Sequence, residues 1–103
     1  MDRIKNMYIS GGENVYPAEI ERFLLTFPGV SEVAVIGVPD ARWGEVGKAF
    51  IVTMELDIPC EAVQAYCAGN LARFKVPKYL ELVPELPKND TGKISKKALK
   101  ASV

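Results

Sequence analysis

The sequence has 103 residues, 49% of them hydrophobic, with 13 basic and 13 acidic side chains and no histidine. That length and apolar content suit one folded domain with a modest core and argue against disorder. Zero net charge argues against a general nucleic-acid binder, the lack of histidine excludes a histidine-based triad from this chain, and no apolar run reaches membrane-span length.

In chain order, Met7-Tyr8-Ile9 is a short β-prone run that stops at Ser10-Gly11-Gly12. Paired glycines predict a turn with positive φ, or a place where backbone approaches something closely. Pro17 opens a helix, with Glu19 and Glu21 in its first turn. Ile20, Phe23, Leu24 and Phe27 follow helical spacing and give its buried stripe, and Pro28-Gly29 ends it. Glu32 to Val38 reads as a strand whose continuous apolar run suits a central, covered position. Pro39-Asp40 is expected to begin a loop carrying Arg42, Trp43, Gly44 and Glu45. Lys48 to Met54 is the next strand. Asp57-Ile58-Pro59 leads into a second helix with the stripe Val63, Tyr66, Cys67 and Leu71. Arg73 to Lys78 is a basic connector broken at Pro77, and Tyr79 to Val83 is a further strand. After a polar loop from Lys88 to Lys93, Ser95 caps a short helix through Lys100. The fold class expected is α+β: a small, mainly antiparallel sheet of about three central strands plus a short N-terminal strand or hairpin, packed with two to three helices.

Charge is uneven along the chain. Five lysines and one aspartate between Lys88 and Lys100 give a local +4, either a solvated helix face or a patch facing phosphate. Two cysteines, Cys60 and Cys67, would lie roughly 10 Å apart on one helix, too far for a disulfide. With no histidine and no paired-cysteine motif, no metal site is expected. Met1 is followed at once by Asp2, Arg3 and Lys5, without the pattern of a signal segment, so a cytoplasmic location is expected. Thr91-Gly92-Lys93 invites a phosphate-loop reading, but Pro87 stands where that motif needs glycine and Ile94 where it needs Ser or Thr.

Four segments in order carry a resemblance over essentially the whole chain. They are Asp2-Arg3-Ile4-Lys5-Asn6-Met7 with Ser10-Gly11-Gly12-Glu13-Asn14-Val15-Tyr16-Pro17-Ala18-Glu19-Ile20-Glu21; Val35-Ile36-Gly37-Val38-Pro39-Asp40 with Trp43-Gly44-Glu45; Leu71-Ala72-Arg73-Phe74-Lys75-Val76-Pro77-Lys78; and Leu86-Pro87-Lys88 through Thr91-Gly92-Lys93-Ile94. Together they resemble the C-terminal domain of the AMP-forming acyl-CoA synthetases, in the adenylate-forming superfamily with luciferase and peptide-synthetase adenylation domains.

The resemblance implies that residues 1–103 form a mobile lid and that the N-terminal domain binding ATP and the carboxylic acid is absent from this sequence. It implies ATP and CoA as substrates, with Mg2+ arriving on ATP rather than through ligands of this chain. Lys93 matches the lysine that contacts the carboxylate and the α-phosphate, Lys5 the hinge, and Arg3 an arginine that helps hold the nucleotide. Gly11 and Gly12 match the loop lining the CoA pantetheine tunnel. Trp43 and Phe74 are candidates to flank the CoA adenine, and Lys75 and Lys78 to meet its phosphates, although many members carry arginine where Val76 stands. The expected partners are the N-terminal domain, ATP, CoA and a carboxylic acid, with no nucleic acid and no transmembrane segment. The isolated chain is expected to be inactive. Alternative readings are an adenylation domain passing acyl groups to a carrier protein, a luciferase-like oxygenase, and a non-catalytic α+β interaction module.

Overall fold

The structure, a computed structural model, describes residues 7–54 and 59–101. Within them the order is β1 (Tyr8–Ser10), β2 (Glu13–Val15), α1 (Pro17–Leu24), β3 (Val30–Asp40), β4 (Gly44–Thr53), α2 (Cys60–Asn70), a 3-10 turn (Arg73–Lys75), β5 (Tyr79–Leu82) and α3 (Lys96–Ala101). The α+β class and the mainly antiparallel sheet agree with the expectation.

Strand β4 is the spine. β3 runs antiparallel along one of its edges, from Val30↔Thr53 to Asp40↔Gly44. The other edge is shared. β1 meets its start through Ser10↔Gly44, and β5 lies parallel farther along, from Lys48↔Tyr79 to Ile51↔Leu82. The β1–β2 hairpin therefore hangs beside the start of β4, next to the connector that feeds β5.

The continuous apolar run of β3 has a direct cause, because both of its faces are covered. Val33 and Val35 join Ile20 and Leu24 of α1 and Val63 and Cys67 of α2 on one face. Ala34, Ile36 and Val38 join Phe50, Leu86 and Leu99 on the other. Full burial of an aliphatic side chain of this size contributes about 1.5–3 kcal/mol, so the C-terminal segment is held by Leu86 and Leu99.

β2 completes the N-terminal hairpin that the sequence reading allowed, and the hairpin flanks Gly11-Gly12. Several details differ from the sequence reading. Pro39 and Asp40 end β3 rather than starting a loop, which leaves only residues 41–43 between β3 and β4. Proline is tolerated there because the Val35 N–H, in the same phase, already points away from β4 to the Glu21 carboxylate at 2.9 Å. α2 stops at Asn70, so Leu71 packs from beyond the helix. Finally, β5 pairs in parallel, an outcome that apolar spacing alone does not encode. Asp57 and Ile58 lie outside the described residues.

Tyr8 fixes the hairpin to the sheet. Gly37 and Gly47 are register partners on β3 and β4, and the Tyr8 side chain lies against both; a Cβ at Gly37 would come within 2.6 Å of the Tyr8 Cβ. Its buried hydroxyl has no hydrogen-bond partner among the described residues. Burial, aided by the Glu45 charge, pushes that phenol up to about 12.

Candidate functional site

The hairpin turn consists of Gly11 and Gly12, with φ of 58° and 85°. Gly11 donates its N–H to the Trp43 carbonyl at 2.9 Å. A Cβ on Gly11 would fall 2.8 Å from Cε3 of the Trp43 ring. Glycine is thus required here twice, by backbone conformation and by the close approach of an indole.

Asp40 organises the opposite side of that contact. One carboxylate oxygen accepts the backbone N–H groups of Arg42 at 2.8 Å and Trp43 at 3.0 Å. The other accepts from the Lys78 ammonium at 2.9 Å. The Lys78 hydrogen bond, then the Trp43 and Arg42 amides, hold the Asp40 carboxyl down at about 2. Lys78 is correspondingly raised, chiefly by its bond to Asp40. A single carboxylate therefore ties the 41–43 loop to the connector after α2.

Between them opens a pocket of about 830 Å³ lined by Ser10, Arg42, Trp43, Arg73, Phe74 and Lys78, among others. Its size suits a small-molecule ligand. The Arg42 guanidinium lies 5.2 Å from the Trp43 ring centre. Phe74 also packs on the main core, so it serves as wall and as foundation. The structure thus gathers Gly11, Trp43, Phe74 and Lys78, with Gly12 next in the turn. It does not bring Lys75 to the pocket: that ammonium bonds Glu19 at 2.9 Å.

Lys93 lies on a separate surface. Lys88 and Ile94 bridge the base of its loop. Asn89 shapes the tip: its side-chain oxygen accepts from the Thr91 N–H at 3.0 Å, the Thr91 hydroxyl at 2.6 Å and the Lys93 N–H at 3.1 Å. Its own N–H donates to the Lys93 carbonyl at 2.8 Å. Ser95 then caps α3, accepting the Ala98 N–H at 3.2 Å.

Two lysines of the basic tail are neutralised, Lys88 by Glu32 and Lys96 by Glu21. Lys93 is exposed and has no ion-pair partner among the described residues. The depression around it, lined by Lys88, Lys93, Lys96 and Lys97 among others, shares no residue with the Trp43 pocket.

Arg3 and Lys5 lie outside the described residues. Cys60 and Cys67 are free thiols, and burial pushes Cys67 up to about 11. No helix among the described residues is long and apolar enough to cross a membrane. Sequence reasoning passed over Asp40, Arg42, Arg73 and Asn89 as site residues. An aspartate or asparagine entering a tight turn was the available signal for Asp40 and Asn89. Nothing in the spacing marked the two arginines.

Comparison with known proteins gives concordant matches. The family model described as "AMP-binding enzyme C-terminal domain" matches residues 19–93. A long-chain-fatty-acid–CoA ligase of Mycobacterium tuberculosis is 50% identical over 99 residues, 96% of this chain and 20% of the relative. A feruloyl-CoA synthase of an Amycolatopsis species is 52% identical over 97 residues, 93% of this chain and 20% of the relative. The solved structure of a Mycobacterium tuberculosis fatty acyl CoA synthetase superposes with a TM-score of 0.90 at 49% identity, covering 97% of this chain and 20% of that one. The chain thus spans about one fifth of the length of the relatives it matches.

Proposed function

Since the chain belongs to the AMP-binding enzyme C-terminal domain family, we propose that it works as the mobile C-terminal lid of an ATP-dependent, AMP-forming acyl-CoA ligase. Its partner is an N-terminal domain that binds ATP and the carboxylic acid. In the first half-reaction the carboxylate attacks the α-phosphorus of ATP and releases pyrophosphate. In the second, the CoA thiol attacks the acyl carbonyl of the adenylate and AMP leaves.

Lys93 serves the first step. Two anions must approach each other, so the barrier is largely electrostatic, and a cation aimed at the developing charge lowers it. Its ammonium is unpaired among the described residues and stands on a loop ordered from within, so it needs no internal partner displaced before it acts. The Trp43 pocket serves the second step by holding the nucleotide end of CoA. Gly11 and Gly12 leave a passage beside it that side chains would narrow. Mg2+ arrives with ATP.

Rotation about Lys5 exchanges the two surfaces, and Arg3 helps hold the adenylate nucleotide. The aromatic and cationic lining of the pocket favours a nucleotide-bearing thiol over a carrier protein.

The observation that carries this reading is the separation of Lys93 from the Trp43 pocket, with no lining residue in common. Its test is Lys93→Ala in the enzyme carrying its N-terminal domain. Pyrophosphate release should fall about 10²–10³-fold. Thioester formation from supplied acyl-adenylate should stay within about twofold, a residual roughly the size of thermal energy. Equal losses in both half-reactions would refute the division of labour.

A further inference from the structure

Five cations lie on β4, the 41–43 loop and the connector after α2, the elements around the Trp43 pocket, and they are not equivalent. Lys75 bonds Glu19 at 2.9 Å and does not line the cavity. Lys78 lines the cavity, but its ammonium is bound to Asp40 at 2.9 Å. Lys48 pairs with Glu81 at 3.2 Å. Arg42 and Arg73 both line the cavity, are exposed, and have no carboxylate partner among the described residues.

A salt-bridged lysine presents a nearly cancelled charge to a third group several ångströms away, whereas an unpaired guanidinium presents its whole charge. Arginine also offers a planar fork of donors that fits two phosphate oxygens at once. The two arginines come to the pocket from different elements, Arg42 from the 41–43 loop and Arg73 from the 3-10 turn, each next in sequence to an aromatic that also lines it, Trp43 and Phe74. Val76, which also lines the pocket, supplies no charge.

We propose that Arg42 and Arg73 are the phosphate-recognising residues of this pocket, in place of Lys75 and Lys78, and that they select a phosphorylated adenine nucleotide over the bare nucleoside. Lys78 acts as a brace: through Asp40 it keeps the 41–43 loop, and so Arg42 and Trp43, in position. The assignment rests on the reading of this pocket as the CoA nucleotide site and says which residues carry its charge recognition.

Trp43 is the only tryptophan of the sequence, so its fluorescence reports the pocket directly. The 103-residue chain is titrated with CoA, 3′-dephospho-CoA and adenosine, as wild type and as Arg42→Gln, Arg73→Gln, Arg73→Lys and Lys75→Gln. Each arginine-to-glutamine change should weaken CoA binding about tenfold, the low end for a charge-assisted hydrogen bond at an exposed site. Dephospho-CoA should lose less than CoA, and adenosine should stay within about twofold. Lys75→Gln should leave CoA binding within the same margin. Arg73→Lys, which keeps the charge and removes only the fork, should fall between wild type and Arg73→Gln.

Lys75→Gln losing as much as Arg73→Gln overturns the assignment. So does an equal loss of adenosine and CoA in the arginine variants, because the damage would then lie in the ring pocket. A wild-type chain whose Trp43 signal ignores millimolar CoA removes the nucleotide site altogether, and with it the CoA half of the proposed function. The adenylation role of Lys93 is tested separately by pyrophosphate release and survives that result.

Discussion

The Trp43 pocket and the Lys93 loop show two ways of holding a functional group. In the pocket nearly every group is tethered to something else. Gly11 is bonded to Trp43, Trp43 and Arg42 are bonded to Asp40, Asp40 to Lys78, and Phe74 to the core. In the Lys93 loop the order is internal. Asn89 accepts from Thr91 and Lys93, and the Lys93 ammonium itself has no ion-pair partner among the described residues. A receptor must keep its shape before the ligand arrives, so its parts restrain one another. A group delivered to a reacting centre elsewhere needs a stiff stem and an uncommitted tip. Damage to the pocket should therefore spread through the fold, and damage to the loop should stay local.

Gly11→Val is the strongest attempt to break that contrast. The substitution places a β-branched residue at a φ of 58° and a Cβ within 2.8 Å of the indole. Left-handed backbone strain and overpacking each cost about 1–3 kcal/mol, so a combined loss of about 3 kcal/mol is expected by chemical denaturation. Trp43 emission should shift in the folded state as well. A Gly11→Val protein with wild-type stability and wild-type emission would show that the turn and the indole are not coupled.

How far the sequence could be read follows from the same contrast. The helices from Pro17 and Cys60 and the β3 and β4 strands were legible because apolar spacing and turn residues are local signals, and here packing agrees with them. Lys93 was legible as an outward-facing lysine because its loop is built from adjacent residues. The pocket was legible only in part. Trp43, Phe74 and Lys78 drew notice as residue types, but what distinguishes Lys78 from Arg73 is a carboxylate 38 positions away, at Asp40. The pairing of Lys75 with Glu19, away from the lining of the pocket, has the same origin, since the two lie 56 positions apart. Parallel pairing of β5 and the seat of Tyr8 on Gly37 and Gly47 are likewise products of tertiary contact. Charge pairing across the fold decides which cations remain available, and no local pattern records it.

Asn89→Ala sharpens the loop side of the comparison. It removes the acceptor for two backbone N–H groups and one hydroxyl while leaving Lys93 in the chain. The freed N–H groups lie in an exposed turn and can turn to water, so global stability should fall by only about 1 kcal/mol. Trp43 emission should be unchanged. In the enzyme with its N-terminal domain, adenylation should drop by about tenfold as the lysine loses its stem, with thioester formation retained. If Asn89→Ala shifted Trp43 emission, the two surfaces would be mechanically linked and the separation would fail.

The smallest effect expected is a pH dependence, and its sign is specific. Asp40 has its carboxyl lowered from an ordinary 3.8 to about 2 by the Lys78 hydrogen bond and the Trp43 and Arg42 amides. The unfolded chain therefore takes up this proton first as pH falls. The stabilisation from Asp40 is complete above about pH 5, declines as pH falls through 4 toward 2, and is absent below that. Asp40→Asn keeps an oxygen for the two amides and removes the charge that holds Lys78. The gap in melting temperature between wild type and Asp40→Asn should be constant from pH 7 to about pH 5 and should narrow to its minimum near pH 2. A gap that widens on acidification would mean that Asp40 is held protonated in the fold, the opposite electrostatic state. A constant gap down to pH 2 would mean that the Asp40 charge and its bond to Lys78 contribute nothing to the difference, and the bracing role of Lys78 would fail.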